Sequence, residues 1–231
     1  MNDRARVSIR IWDLPTRLFH WALACLVIAS VVTGKFNSIL GPGSLEWHKR
    51  SGLAILALLL FRFVWGLAGG THARFANFLR GPRAVIAYAR GLFAGDAASE
   101  TAGHNPLGGW SAVAMLAAIA LQACAGLFLI QEDFAFEGPL AHLVSRAVSD
   151  RLGAIHQANF YAIAVLVALH VAAIVFYTVV KKQDLVGAMV TGRKSLAPGT
   201  EGEASRGGGA AVAIAVAIAS ATAVWALVTF A

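Results

Sequence analysis

The stretch that decides the fold is residues 153–172, "GAIHQANFYAIAVLVALHVA", where His156 and His170 interrupt an apolar run. An ionisable side chain inside a membrane helix is costly and indicates a function. In an α-helix, the fourteen residues that separate the two histidines span about 21 Å and about 1400°, within about 40° of a whole number of turns. Both rings are therefore expected on one side of a single spanning helix, one in each leaflet.

The composition of the whole chain agrees with a membrane protein. Of the 231 residues, 58% are hydrophobic and 13% are charged, whereas a soluble domain carries about a quarter of charged residues. The net charge of +7 does not indicate a nucleic-acid partner, because basic residues also flank membrane helices and set their topology. We therefore expect a polytopic membrane protein.

Five apolar segments approach the about 20 residues that a spanning helix needs. They are expected at 17–35, 48–68, 109–130, 154–180 and 209–230. The first is interpreted as a retained span, because no small-residue cleavage site closes it. The fold class is an all-α membrane protein with a four-helix bundle and a fifth, C-terminal transmembrane helix. The expected division is a four-helix domain at 1–195, a Gly-rich linker at 196–208 and the additional helix at 209–231.

The distribution of basic residues predicts the orientation. Thirteen Lys and Arg residues lie in or beside the N-terminal tail, the 70–108 connection and the 181–207 connection, against five on the other side. The N-terminus is therefore expected in the cytoplasm and the C-terminus outside.

Four of the seven histidines lie on predicted spans. With this orientation His20 and His170 fall in the inner leaflet, whereas His48 and His156 fall in the outer leaflet. Two neutral imidazoles on opposite sides of one iron are the ligand set of a low-spin b-type haem held in a helix bundle. We therefore expect two haems b, one ligated by His20 and His170 and the other by His48 and His156, which together form an electron path across the bilayer.

Three further residues fit the same geometry. Gly34 follows His20 by fourteen residues, so it is expected beside the outer haem, where it leaves room for the porphyrin edge; the alternative is an ordinary helix end. Arg62 follows His48 by fourteen residues and is expected to pair with a propionate of the inner haem. The alternative for Arg62 is that it snorkels to the headgroups. Arg17, one turn before His20, is a second propionate candidate.

Polar residues elsewhere have structural interpretations. Gln122 is expected to form an interhelical hydrogen bond rather than to line a quinone pocket, and His104 is interpreted as a loop histidine rather than one that faces a quinone. Asn105 is expected to cap the third span, with Pro106 in its first turn. The segment "RFANFLRGPRAVIAYARGLF" (74–93) predicts an interfacial amphipathic helix.

Several motifs resemble the bacterial cytochrome b561 family, and more closely its branch of Ni/Fe-hydrogenase cytochrome b subunits. The resemblance covers about residues 8–195, and only the fifth span departs from it. It implies a four-helix haem b protein of the bacterial inner membrane that passes electrons between a partner protein and the quinone pool. The family's axial ligands fall on the same four histidines. The motifs are "DLPTRLFHW" (13–21), "EWHKRSG" (46–52) with Arg62 and "WG" (65–66), "GHNPLGG" (103–109) and the His-x13-His pair.

The expected function is that of a di-haem b cytochrome between the quinone pool and a periplasmic redox partner, such as a c-type cytochrome or an oxidoreductase subunit. It would be an electron-transfer subunit, with a cytoplasmic N-terminus and a periplasmic C-terminus. One alternative is a stand-alone quinone-coupled oxidoreductase resembling a superoxide oxidase, which predicts turnover without a protein partner; Lys49 and Arg50 beside His48 are its only hint. A haem-free transporter or assembly protein predicts purified protein without a Soret band.

Overall fold

The computed structural model describes residues 6–41, 43–93, 100–132, 136–196 and 203–230. Within this part of the chain, five helices are long and apolar enough to cross a membrane, which confirms the predicted number of spans. They are α1 (Leu14–Lys35), α3 (Gly43–Ala68), α6 (Pro106–Gly126), α7 (Arg146–Val179) and α9 (Ala210–Phe230). The shorter elements are β1 (Val7–Arg10), α2 (Asn37–Leu40), α4 (Phe75–Phe78), α5 (Pro82–Phe93), β2 (Ile130–Gln131), β3 (Phe136–Glu137), α8 (Leu185–Thr191) and β4 (Arg193–Leu196).

Two boundaries of these helices differ from the sequence prediction. α6 ends at Gly126 instead of residue 130, because the carbonyls of Leu127 and Leu129 accept hydrogen bonds from the chain after β3 (2.8 and 2.7 Å). α7 begins at Arg146, eight residues before the predicted start. Its 34 residues form a helix about 51 Å long, which is longer than the about 30 Å of a hydrocarbon core. The sequence prediction missed this start because the first turns of α7 carry charged residues. His156 lies ten residues after the start of the helix rather than at its end.

Backbone contacts divide the chain into two compact units. The first unit contains Met1–Leu18, Val64–Ala114 and Val167–Ala213. The second unit contains Phe19–Phe63, Met115–Leu166 and Ile214–Ala231.

In the first unit, the chain before α1 pairs with the chain after α8. β1 and β4 are antiparallel, with Val7 opposite Leu196 and Arg10 opposite Arg193. Part of the predicted linker joins this unit through its backbone: the N–H of Ser205 donates to the carbonyl of Arg10 (2.7 Å), and the carbonyl of Arg206 accepts from Thr71 (2.9 Å). Ser205 and Arg206 are therefore hydrogen-bonded to other segments within the first unit.

Asp13 holds the start of α1 against the end of α3. Its side chain is 6% exposed and accepts the backbone N–H of Thr16 at 2.8 Å, which caps α1. It also accepts the backbone N–H of Gly70 at 3.2 Å and the indole N–H of Trp65, at 3.3 Å from each carboxylate oxygen. One buried carboxylate thus satisfies three donors from two segments of the chain.

The segment between α3 and α6 contains the predicted amphipathic helix, which is α5. The phenol of Tyr88 on α5 lies 2.8 Å from that of Tyr177, which also accepts from the side-chain amide of Asn105 (3.0 Å). Burial, followed by the bond to Tyr177, raises the pKa of Tyr88, so its phenol stays protonated at any physiological pH. Asn105 Oδ1 accepts from the N–H of Gly108 at 2.7 Å, which confirms the predicted cap of α6.

The core of the second unit is made by one isoleucine from each of three helices. Ile55 of α3, Ile119 of α6 and Ile163 of α7 are buried against one another. Leu23 and Leu26 of α1 pack against this cluster. Four of the spanning helices therefore meet at one apolar layer in this unit.

Replacing Asp13 with Ala is expected to lower the stability of the protein. The substitution leaves three buried donors without their acceptor, and an unsatisfied buried group costs about 1–3 kcal/mol. We expect the Tm of the purified protein in detergent to fall by several degrees, since about 1 kcal/mol shifts the Tm of a chain of this size by about 2–4 °C. Asp13→Asn, which keeps one acceptor oxygen, is the matched control and should cost less. An unchanged Tm in Asp13→Ala would refute this role.

Candidate functional site

The second unit contains a partly open cavity of about 460 Å³, a size typical of small-molecule and cofactor sites. Residues of α1, α3, α6 and α7 line it, together with part of the chain between α6 and α7. Most of the lining side chains are apolar, among them Leu53, Ile55 and Ile119. His48 and His156 also line it, and these are two of the four histidines singled out in the sequence.

The rings of His48 and His156 lie against each other in this cavity. Their centroids are 6.1 Å apart and their planes are inclined by 76°. Imidazole nitrogens bind metals at about 2 Å, so two rings on opposite sides of one metal have centroids about 6 Å apart. The separation in the structure therefore fits a pair of axial ligands.

Each ring is oriented by a backbone carbonyl of a neighbouring helix. His48 Nδ1 lies 2.8 Å from the carbonyl of Ser30 on α1, and His156 Nδ1 lies 3.0 Å from the carbonyl of Gln122 on α6. A carbonyl can only accept, so each Nδ1 carries the proton and each Nε2 keeps its lone pair. A second partner that fixes the tautomer in this way is typical of metal-ligating histidines.

A glycine stands four residues after each accepting carbonyl. Gly34 follows Ser30 by one turn, and a Cβ added there would lie 2.8 Å from Nδ1 of His48. Gly126 follows Gln122 by one turn, and a Cβ there would lie 3.4 Å from Cε1 of His156. Gly34 thus leaves room for the His48 imidazole itself, and its predicted contact with a porphyrin edge remains a prediction.

Two serines, Ser30 and Ser51, form further hydrogen bonds near His48. The hydroxyl of Ser51 donates to the carbonyl of His48 (2.9 Å) and lies 2.6 Å from the hydroxyl of Ser30. Because the Ser51 proton is used, the Ser30 hydroxyl is the donor between them. These bonds and the one from His48 to the Ser30 carbonyl connect α1 and α3 at the level of the ring.

Near His156, the side-chain amides of Asn159 and Gln122 form a hydrogen bond. The side chain of Asn159 donates to Gln122 Oε1 at 2.7 Å and to the carbonyl of Ala118 at 2.9 Å. The interhelical hydrogen bond predicted for Gln122 is therefore confirmed, with its partner on α7.

The sequence reasoning missed Ser51 and Asn159. Each stands three residues after a ligand candidate, His48 or His156, and hence near the same face of its helix. A polar residue at that offset within an apolar helix is the signal that would have found both.

The other predicted site residues are distributed over both units. His20, whose ring lies 5.0 Å from that of Trp21, belongs to the second unit, whereas His170 belongs to the first. Their shared iron remains a prediction from sequence spacing. Arg62 is 5% exposed, and its guanidinium carbon lies 6.0 Å from the ring centroid of Phe19.

Arg17 and His104 contact protein groups of the first unit. The guanidinium of Arg17 donates to the carbonyl of Val190 in α8. The ring of His104 packs against those of Trp12 and Phe78, with centroids 4.8 and 4.6 Å apart.

A family model described as prokaryotic cytochrome b561 matches residues 11–192 of this chain. The chain belongs to the prokaryotic cytochrome b561 family. The chain is also similar to a probable Ni/Fe-hydrogenase B-type cytochrome subunit of Rhodobacter capsulatus, with 22% identity over 219 residues that cover 84% of each chain. The chain is therefore a multi-pass membrane protein of electron transfer, and its family implies haem b as cofactor.

His48 and His156 fit that cofactor. A b-type haem needs two neutral imidazoles with unprotonated nitrogens directed at one iron, in surroundings that keep water away. The ring separation and the two Nδ1 bonds to carbonyls agree with the first requirement, and the cavity that both rings line is mostly apolar.

Replacing Gly34 with Ala is expected to disturb the His48 side of this site. The new Cβ would overlap the imidazole, so the ring has to leave its position on the Ser30 carbonyl. We expect the haem content of the purified protein, measured as the pyridine haemochrome, to fall by up to one haem per chain. Gly43→Ala is the matched control, because a Cβ at Gly43 meets no atom within 4 Å. Equal haem content in both variants and the wild type would contradict the assigned role of Gly34.

Proposed function

We propose that this protein carries two haems b and moves electrons across the bacterial inner membrane, between the quinone pool and a periplasmic redox partner. The observation that carries the proposal is the His48–His156 pair, two facing imidazoles that are each bonded through Nδ1 to a backbone carbonyl. It supports one of the two haem sites directly.

The second haem is proposed on His20 and His170. Its support is the fourteen-residue spacing of His156 and His170 on one unbroken helix, α7, together with the matched depths of the four histidines. Arg62 is proposed to bind a propionate of this haem. Its burial supports that role, because a guanidinium inside an apolar bundle requires an anion or other acceptors. Arg17 remains a second candidate, although one of its donors already serves Val190.

A bound haem b supplies a one-electron iron couple. The protein's own contribution is to hold each Nε2 lone pair in place and to keep water from the site. The carbonyls of Ser30 and Gln122 hold the lone pairs in place, since they fix which nitrogen of each ring is protonated. The apolar side chains around the cavity limit the access of water to the site, and such a lining tunes the reduction potential of a metal centre.

The partner is proposed to be a redox protein on the periplasmic side, a c-type cytochrome or an oxidoreductase subunit. The similar protein of Rhodobacter capsulatus is named as a probable Ni/Fe-hydrogenase B-type cytochrome subunit, which supports a role as the membrane subunit of a redox enzyme. Basic residues are in excess in the N-terminal tail and in the 70–108 and 181–207 connections, which are expected on the same side of the membrane. This excess supports a cytoplasmic N-terminus and a periplasmic C-terminus.

A stand-alone quinone-coupled oxidoreductase is less well supported. Its hint was the pair of cations beside His48, which would attract a small anionic substrate. Both side chains are paired with the same carboxylate: Lys49 lies 2.8 Å and Arg50 3.0 Å from Glu46. Glu46 therefore offsets much of the positive charge on which this alternative depends.

The haem content of single histidine variants tests the proposal. We expect two haems per chain in the wild type by pyridine haemochrome assay, and one in His156→Ala and in His170→Ala, because each variant removes one axial ligand. A redox titration should then show one remaining component, and a different one in each variant. His142→Ala, an exposed histidine outside both pairs, should keep two haems. One haem in the wild type would contradict the di-haem model, and none would contradict the function.

A further inference from the structure

The ammonium of Lys35, the last residue of α1, lies over two aromatic rings of α7, although the residue as a whole is exposed. Its ammonium lies 4.3 Å from the ring centroid of Phe160 and 5.5 Å from that of Tyr161, both on α7. A lysine at the end of a spanning helix normally extends its ammonium toward water or headgroups. The contact with Phe160 and Tyr161 holds the ammonium beside α7, because a cation and an aromatic face attract each other.

Lys35 lies at the cavity that holds the two histidines. Lys35, Phe160, His48 and His156 all line that cavity. Phe160 follows His156 by four residues and so lies on the same face of α7. On α1, Lys35 directly follows Gly34, whose Cα faces the His48 ring. Lys35 and the two imidazoles therefore line one cavity.

Two lysines line this cavity, and their charges differ in environment. The ammonium of Lys49 is paired with Glu46 at 2.8 Å. For Lys35, the described residues include no carboxylate oxygen within the 4.0 Å of an ion pair. A cation beside a mostly apolar cavity is stabilised by an anion that enters with the ligand. Lys35 is therefore the cation of this cavity that is available to such an anion.

We propose that Lys35 binds a propionate of the haem that His48 and His156 ligate. This inference rests on the proposed function. The propionates are the anionic edge of haem b, and an ammonium–carboxylate pair is a strong, charge-assisted interaction. Lys35 consequently sets which edge of the macrocycle faces the end of α1. Its positive charge also favours the reduced haem, because reduction adds one negative charge nearby.

The test compares three lysine variants by redox titration of the haem absorbance in purified protein. In Lys35→Gln, we expect both haems to be retained and one midpoint potential to fall while the other stays. We expect the ratio of reduced to oxidised haem at a fixed potential to change by about tenfold, which corresponds to about 59 mV for one electron. Lys182→Gln, which removes a lysine that does not line the cavity, is the control and should shift neither midpoint, and Lys35→Arg should keep the wild-type value.

The outcomes separate this proposal from the proposed function. If the wild type holds two haems and His156→Ala loses one, but Lys35→Gln shifts no midpoint, the function stands and the role of Lys35 is refuted. A lower Tm in Lys35→Gln without a shift in potential would show only a packing role on Phe160, and would also refute it. If Lys35→Gln loses a haem, retention of that haem in Lys35→Arg supports the pairing, and its loss there overturns it. Wild-type protein without haem would overturn both proposals.

Discussion

The site depends on one constraint, namely that each imidazole placed among apolar helices needs a partner for both of its nitrogens. At His48 and His156 the Nδ1 proton goes to a backbone carbonyl of the neighbouring helix. Helical carbonyls have a second lone pair for such a bond. Gly34 lies one turn after Ser30, where an added Cβ would overlap the His48 ring, and Gly126 lies one turn after Gln122, where a Cβ would contact the His156 ring. Each histidine therefore joins two helices, α3 to α1 and α7 to α6, while its Nε2 remains available to a metal.

The motifs that mark the family have identifiable structural tasks in this chain. In "DLPTRLFHW", Asp13 caps α1 and binds the end of α3. In "EWHKRSG", His48 and Ser51 form the hydrogen bonds that connect α1 and α3. In "GHNPLGG", Asn105 caps α6 and also reaches Tyr177. Two of these motifs thus combine a ligand candidate, His20 or His48, with residues that fix where helices begin and how they meet.

The sequence predicted the five spans well, because they have strong local signals, and the structure brings together two of the histidines that it singled out, His48 and His156. Apolar runs of about 20 residues identify helices by length alone, and fourteen-residue spacings place side chains by helical periodicity. The start of α7 was missed because its first turns carry Arg146 and Asp150, which resemble a loop. The pairing of β1 with β4 and the attachment of 203–208 were missed for another reason: strands of four residues, separated by most of the chain, have no periodic signal.

The central claim is that His48 and His156 share one iron, and an experimental structure of the haem-loaded protein tests it most directly. A cryo-electron microscopy map in lipid nanodiscs should show a haem inside the cavity of the second unit, with its iron between Nε2 of His48 and Nε2 of His156. Both Nδ1 atoms should remain on the carbonyls of Ser30 and Gln122. A map in which either ring points toward lipid, or in which the iron has another axial ligand, would contradict the account.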